Sequence, residues 1–321
     1  MAELTLHPYT SAHRHEWDEF VDSARNSTFL FKRGYMDYHS DRFADHSLMA
    51  RKGERLVALL PANLDTTDGM RMLRSHGGLT YGGWILPPRH ADAADVLVLF
   101  QLLREYCMEN GIEGVDYKPL PYIYATMPSQ EDRYALFRMG AILKEQSISS
   151  TIDLSHNPGF NTQQRRNLRR GAKVADVEIR EESDVTLFHR LLSECLKERH
   201  DTRPVHDCHE LQLLRDRFPE SIRVFVLYAG GAPQAGVCMY LTRMVAHAQY
   251  ICSTPRARAE GLLTVLFNHL FALTAGWRYF DFGISTEDHG LYLNEGLYRQ
   301  KSSLGGSGVA YERYLLPIPQ S

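Results

Sequence analysis

The stretch Gly276-Trp277-Arg278-Tyr279-Phe280-Asp281-Phe282-Gly283-Ile284-Ser285-Thr286-Glu287 decides how this chain folds. Its aromatic run, Tyr279 to Phe282, predicts a half-buried strand that empties into a polar turn of Ser285, Thr286, Glu287 and Asp288. A helical pattern from about Arg256 to Ala275 precedes it, and Gly276 is the stop signal for that helix. The same grammar occurs once before. A helix from about Ala91 to Asn110 is closed by Gly111, and a short strand follows at Val115-Asp116-Tyr117. Gly111 and Asp116 stand at one common offset from Gly276 and Asp281.

Working outward, the two halves repeat one succession of elements. In the first, a helix near His13 to Ala24 precedes strands Ser47 to Arg51 and Arg55 to Ala62, joined at Lys52-Gly53-Glu54, with a further strand near Met70 to Arg74. In the second, helices near Asp184 to Arg199 and His209 to Arg217 precede strands Ile222 to Tyr228 and Gln234 to Leu241, joined at Ala229-Gly230-Gly231. A strand Ala246 to Cys252 then leads into the long helix. Recurrence in this order predicts a duplicated unit, and Ser155-His156-Asn157-Pro158-Gly159 reads as a turn-rich linker. The expectation is an α/β (α+β) chain of two tandem domains, residues 1–150 and 151–321, each a mixed, mainly antiparallel sheet flanked by helices.

Composition supports two packed domains. The chain has 321 residues, 44% of them hydrophobic and 23% charged, which fits soluble globular structure. A net charge of −3 gives no global attraction to nucleic acid or membrane, so charge has to be read locally. The five cysteines form no paired spacing, and the first residues carry neither a basic nor an apolar leader pattern. The run Leu262 to Trp277 is too short to span a bilayer. A cytoplasmic protein is expected.

Several places can carry chemistry. Ser253-Thr254-Pro255-Arg256-Ala257-Arg258 reads as a helix start, with Thr254 as N-cap and Pro255 at the first helical position. Thr254, Arg256 and Arg258 would hold a cofactor phosphate there; the alternative is a capped helix with solvated arginines. In Gln163 to Lys173, residues Arg165, Arg166, Arg169 and Arg170 share one helix face. That face suits substrate phosphate, or is a solvated face balanced by Glu178, Glu181 and Glu182. His200, His206, Cys208 and His209 crowd together without the recurring spacing of a zinc site. The segment reads as a loop in which Arg203 and His206 line a pocket, or as a plain connection.

Gln249 and Tyr250, polar residues on an apolar strand, either face a substrate cleft or satisfy buried backbone. Asp281 points away from Phe280 and Phe282 by alternation, and Asp116 recurs at its place, so both read as structural hydrogen-bonding groups. Glu287 has no counterpart in the first half and is the expected general base, with Ser285 and Thr286 beside it as substrate contacts. Lys301, near Gly305-Gly306, would steady a phosphate or an oxyanion, or is a surface lysine before a turn. His206 completes the catalytic set. Gly77-Gly78-Leu79-Thr80-Tyr81-Gly82-Gly83-Trp84 signals close backbone approach or a binding loop, without the strand-to-helix context of a dinucleotide site.

From about Asn161 to Val309 these residues resemble the FemAB-like branch of the GNAT acyltransferase superfamily. The resemblance is carried by Gln164 to Arg170, by Pro204-Val205-His206 with Glu210-Leu211, by Tyr279 to Glu287, and by Leu297-Tyr298-Arg299-Gln300-Lys301 with Gly305-Gly306. It implies tandem GNAT-like domains, donor and acceptor meeting in a cleft, and acyl or aminoacyl transfer to an amine or hydroxyl. The acceptor is often a cell-envelope or polysaccharide precursor, and Lys301 takes the place of a phosphate or transition-state contact. Arg256 to Gly261 lacks the Gly-rich signature of coenzyme A users, and the helical-hairpin insertion of tRNA users is missing too. Acyl-coenzyme A is the expected co-substrate and aminoacyl-tRNA the other donor, with no tightly bound cofactor and no metal. The alternative function is a non-catalytic ligand-binding protein on a degenerate tandem fold; RNA binding through Arg165 to Lys173 is a third.

Overall fold

The computed structural model describes residues 3–89 and 91–319, without the side chains of residues 199 and 200, and divides into two units. The first comprises Met1–Ser147, Asp288–Tyr292 and Ala310–Ser321, the second Ile148–Glu287 and Leu293–Val309.

The first unit begins with β1 (Leu4–Pro8), α1 (Arg14–Ser23), α2 (Arg33–Met36) and a short β2 (Ala44–Asp45). Then come β3 (Leu48–Lys52), β4 (Arg55–Leu60), β5 (Asn63–Thr67) and β6 (Met70–Arg74), followed by α3 (Ala93–Glu109), β7 (Gly114–Tyr117), α4 (Glu131–Arg138) and β8 (Ile142–Asp153). From Ile148 onward β8 belongs to the second unit. That unit continues with α5 (Thr162–Gly171), β9 (Val177–Glu182), α6 (Thr186–His200), α7 (Cys208–Arg217), β10 (Ile222–Ala229), β11 (Ala232–Leu241) and β12 (Val245–Ser253). It closes with α8 (Pro255–Glu260), α9 (Leu262–Leu273), β13 (Tyr279–Ile284), β14 (Thr286–Glu287), β15 (Tyr292–Leu293), α10 (Glu295–Ser303) and β16 (Ser307–Pro317), the last crossing into the first unit.

Both units have mixed, mainly antiparallel sheets with helices against them. In the first, β1, β3 and β4 form one antiparallel sheet. A second runs β2-β5-β6, continues parallel from β6 to β7, and adds the end of β16 antiparallel to β7. In the second unit β9-β10-β11-β12 are antiparallel, β12 and β13 parallel, and β13 antiparallel to the end of β8. Among the described residues each unit thus has one parallel pair of strands, joined by its longest apolar helix segment, as a parallel connection requires.

Local chemistry sets these boundaries. Asp92 caps α3 reciprocally with Asp95, and Asp207 caps α7 with Glu210, each closing two orphan N–H groups. Thr254 caps α8 with Pro255 next, as the sequence predicts. The predicted single helix from Arg256 to Ala275 is broken at Gly261, whose φ is 80°. The cause is packing. A Cβ on Gly261 would lie 2.3 Å from the Asn167 carbonyl oxygen, and one on Gly171 would lie 2.8 Å from the Gly261 oxygen, so α5 crosses at backbone contact.

The sequence reading also passes over β5, α4, β8 and β9. The β5–β6 turn is Asp68-Gly69, both at positive φ, the pattern a two-residue hairpin demands; the polar run Asn-Leu-Asp-Thr-Thr hides its strand. The carboxylates of β9 pair within the sheet, Glu181 with Arg223 and Glu178 with Arg180, while Glu182 accepts from the Tyr228 hydroxyl. They do not balance the arginines of α5.

Each unit has its own core. Leu60, Leu73, Trp84, Phe100 and Tyr117 fill the first; Leu266, Phe267, Phe280 and Phe282 anchor the second. Phe267 and Phe282 meet edge to face at 5.3 Å, and each such buried ring contributes roughly 1.5–3 kcal/mol by burial.

Candidate functional site

The parallel pair in the second unit closes only at its start. Val245 faces Tyr279, Ala246 faces Phe280 and His247 faces Asp281. Beyond that point β12 stays on β11 as far as Ser253 opposite Ala235, while β13 stays on β8 as far as Ile284 opposite Ser149. Each strand keeps its outer neighbour and gives up its inner one, so the sheet forks. Two irregularities turn the strands apart. Cys238 faces Tyr250 but Met239 faces Ala248, which makes Gln249 the inserted residue of a bulge. On β13 the ladder slips between Asp281 and Ile284, where Gly283 has a φ of 76°. Bulges bend a strand and leave ladder groups without partners. The inner edges of the fork therefore present backbone N–H and C=O groups to whatever enters.

Lys301 of α10 braces one arm. It is 6% exposed, and its Nζ donates to the carbonyl oxygens of Gly283 at 2.8 Å and Ile284 at 2.6 Å. Burial pushes its ammonium down to about 8, against the pull of the Asp281 carboxylate. Asp281 is fully buried. Its Oδ1 accepts from Ser149 Oγ at 2.5 Å and Thr151 Oγ1 at 2.6 Å, and its Oδ2 lies 2.7 Å from His247 Nδ1. Burial alone would raise its pKa, but His247 and the two hydroxyls more than offset that and hold it below the ordinary carboxylate value. The side chains of Phe280 and Phe282 lie in the core opposite.

The other expected residues fall into separate places. His206 is buried, with Nδ1 2.6 Å from the Tyr250 hydroxyl. With Arg203, Lys197 and His189 it lines a cavity of ≈ 440 Å³ between α6 and the loop before α7. Glu287 is exposed and accepts from Asn294 Nδ2 at 3.0 Å. Ser285 is 1% exposed and its hydroxyl has no partner among the described residues, while Thr286 Oγ1 accepts from the Ile148 N–H. Thr254 Oγ1 accepts from the Ala257 N–H and donates to Gln234; Arg256 pairs with Glu260, and Arg258 donates to the Ser253 carbonyl. On α5, Arg165 donates to the Phe160 carbonyl and Arg169 stands exposed. The side chain of His200 lies outside the described residues; among those described, no group of three or more His, Cys, Asp or Glu is placed to hold a metal ion. Nor, among them, is any helix long and apolar enough to cross a membrane.

One residue at the fork is missed by the sequence reading. His247 sits between Ala246 and Ala248, where a lone histidine on a strand gives no motif; only the register reveals that it faces Asp281.

The first unit repeats the parallel pair but fills the gap. Met72 faces Gly114, Leu73 faces Val115 and Arg74 faces Asp116. After Arg74 the Gly-rich loop turns inward: Ser75 N–H donates to the Asp116 oxygen at 2.8 Å, and Gly82 N–H to the Lys118 oxygen at 2.7 Å. A Cβ on Gly82 would meet the Ser75 oxygen at 1.9 Å. The glycines thus serve close backbone approach, and Asp116 is spent on Arg74 and Arg313. An open fork belongs to the second unit.

Comparison with known proteins bears on this fork. The sequence model of the acetyltransferase (GNAT) domain family matches residues 160–290, which include both of its arms. No curated protein matches the chain. Among solved structures it is similar to FemX, at a TM-score of 0.70 and 10% identity over 98% of this chain and 97% of that one. It is similar also to L-PGS from Bacillus licheniformis, at 0.61 and 13% over 96% and 92%. A tandem GNAT protein from the clavulanic acid biosynthesis pathway follows at 0.52 and 14%, over 99% and 100%.

Proposed function

We propose that this chain, a GNAT-type acyltransferase with a FemX-like tandem fold, seats an acyl thioester in the fork between β12 and β13. We propose further that it passes the acyl group to an amine or hydroxyl of a cell-envelope or polysaccharide precursor. The fork is the observation that carries this reading. An extended donor arm bearing amides, such as that of coenzyme A, satisfies the exposed backbone edges as an added strand would, and the bent ends leave room for the thioester at the apex. Rate then comes chiefly from holding donor and acceptor in register and from dipoles fixed around the developing oxyanion.

The cavity beside His206 offers the acceptor a seat on the face of α6, where Lys197 and Arg203 stand with Asp201 and Asp207 and give a polar lining of mixed charge. The FemAB-like resemblance favours the cell-envelope class, and the exposed arginines of α5 suit donor or acceptor phosphate. Five free cysteines fit a cytoplasmic site of action.

The test is free-thiol release from acetyl- and longer acyl-coenzyme A in the presence of amino-sugar and peptide acceptors, beside thermal shift with each donor alone. Acceptor-dependent thiol release supports the reading. Stabilisation by donor without any turnover supports instead a binding protein on the same fold.

A further inference from the structure

We infer that His247 takes the proton from the attacking acceptor atom, with Asp281 as its positioning residue; this rests on the acyl-transfer reading above. His247 and Asp281 are the last facing pair before the fork opens, so the imidazole stands at the apex where donor and acceptor must meet. Register fixes its side of the sheet. Residues directly opposite share a face, and His247, Tyr250 and Cys252 lie opposite Tyr240, Cys238 and Gly236. That face is covered by α6, whose Phe188 fills the space a Gly236 side chain would need. It also holds the Tyr250–His206 contact at the acceptor cavity. Ala246 and Phe280 pack with α9 on the opposite face.

The hydrogen bonds around the ring define its chemistry. A carboxylate 2.7 Å from Nδ1 holds the proton there and leaves the Nε2 lone pair to accept. Nε2 has no partner among the described residues, and 12% of the side chain remains accessible. Gly283 keeps space beside it, since even an added Cβ would stand 3.4 Å from Cε1. Ser149 and Thr151 occupy the other Asp281 oxygen, which locks the carboxylate and so the ring.

The duplicate shows what changes when the fork is open. In the filled first unit the residue facing the aspartate is Arg74; in the open second unit it is His247. Either can pair with a buried carboxylate, but only histidine can give up and regain a proton. Glu287, by contrast, is exposed and engaged with Asn294. In the step itself, Nε2 removes one proton from the acceptor nitrogen or oxygen as that atom bonds to the thioester carbonyl carbon. The C–S bond breaks, the departing thiolate receives the proton from His247, and acylated acceptor plus free thiol leave a neutral imidazole.

The experiment compares His247→Gln, His247→Ala, Asp281→Asn and Glu287→Gln in the thiol-release assay, with donor and acceptor KM determined for each. His247→Gln keeps an amide to donate to Asp281 but cannot accept the proton. General-base removal predicts a kcat roughly 10²–10⁴-fold lower in both histidine variants with KM for donor nearly unchanged. Imidazole in the buffer should return part of the His247→Ala loss. Asp281→Asn should lower kcat without raising KM, and Glu287→Gln, the competing base, should lower kcat far less than His247→Gln does. Full activity in His247→Gln would mean a structural role and overturn the proposal, while wild-type turnover leaves the acyl-transfer reading standing. A wild-type chain that binds donor but turns nothing over sinks both.

Discussion

Replacing Gly261 by alanine should loosen the seat of α5 on the α8–α9 junction, and the structure sets the size of the effect. Gly261 sits at φ 80°, a conformation that costs an L-residue roughly 1–2 kcal/mol. The new Cβ would also lie 2.3 Å from the Asn167 oxygen and 2.9 Å from its carbon. Backbone cannot swing aside as a side-chain tip can, so α5 must lift, an overpacking penalty of roughly 1–3 kcal/mol. Gly231→Ala is the control, because its φ is 76° and nothing lies within 4 Å of its Cβ; it pays for the backbone alone. Urea denaturation of both variants should place Gly261→Ala about 2–5 kcal/mol below wild type and the control about 1–2 kcal/mol below. Equal losses would refute the argument that this helix break exists to let α5 approach.

Other consequences follow from buried charge and from the bulge. Lys301 titrates near 8 when folded against 10.5 ordinarily, so between those values the unfolded chain binds more protons and stability should rise with pH. The gain is about 3 kcal/mol, and Lys301→Met should flatten that slope in urea titrations. Burial pushes Asp132 up to about 6 from 3.8; here the folded state binds the extra proton, so stability falls as pH rises from about 4 to 6, by about 3 kcal/mol. Asp132→Asn should abolish that fall. Deleting Gln249 restores an unbroken β11–β12 ladder, and donor binding by thermal shift should vanish while the fold persists. Tyr250→Phe removes the hydroxyl 2.6 Å from His206; it should raise acceptor KM and cost about 1 kcal/mol in stability.

Much of the fold was legible where local chemistry alone decides it. The Gly53 and Gly230-Gly231 turns, the stop after α3 and the Thr254-Pro255 start need no tertiary information. What stayed hidden depends on neighbours. The strand β5 is polar and is held by its Asp68-Gly69 turn. Gly261 breaks a helix only because Asn167 lies against it. The site divides in the same way. Asp281 could be placed on its face by alternation, but its pairing with His247 depends on parallel register, and a bulge at Gln249 has no sequence signature. Lys301 looked like a surface lysine or an anion contact; its buried Nζ turns out to hold the carbonyls of the Gly283 irregularity.

Hydrogen exchange with and without saturating acyl-coenzyme A addresses the fork most directly. Donor binding should slow amide exchange in Ala248–Ser253 and Gly283–Ile284 on the two inner edges, while β9 and β10 stay unchanged. Protection confined to other segments, or none at all, would contradict the placement of the donor between β12 and β13.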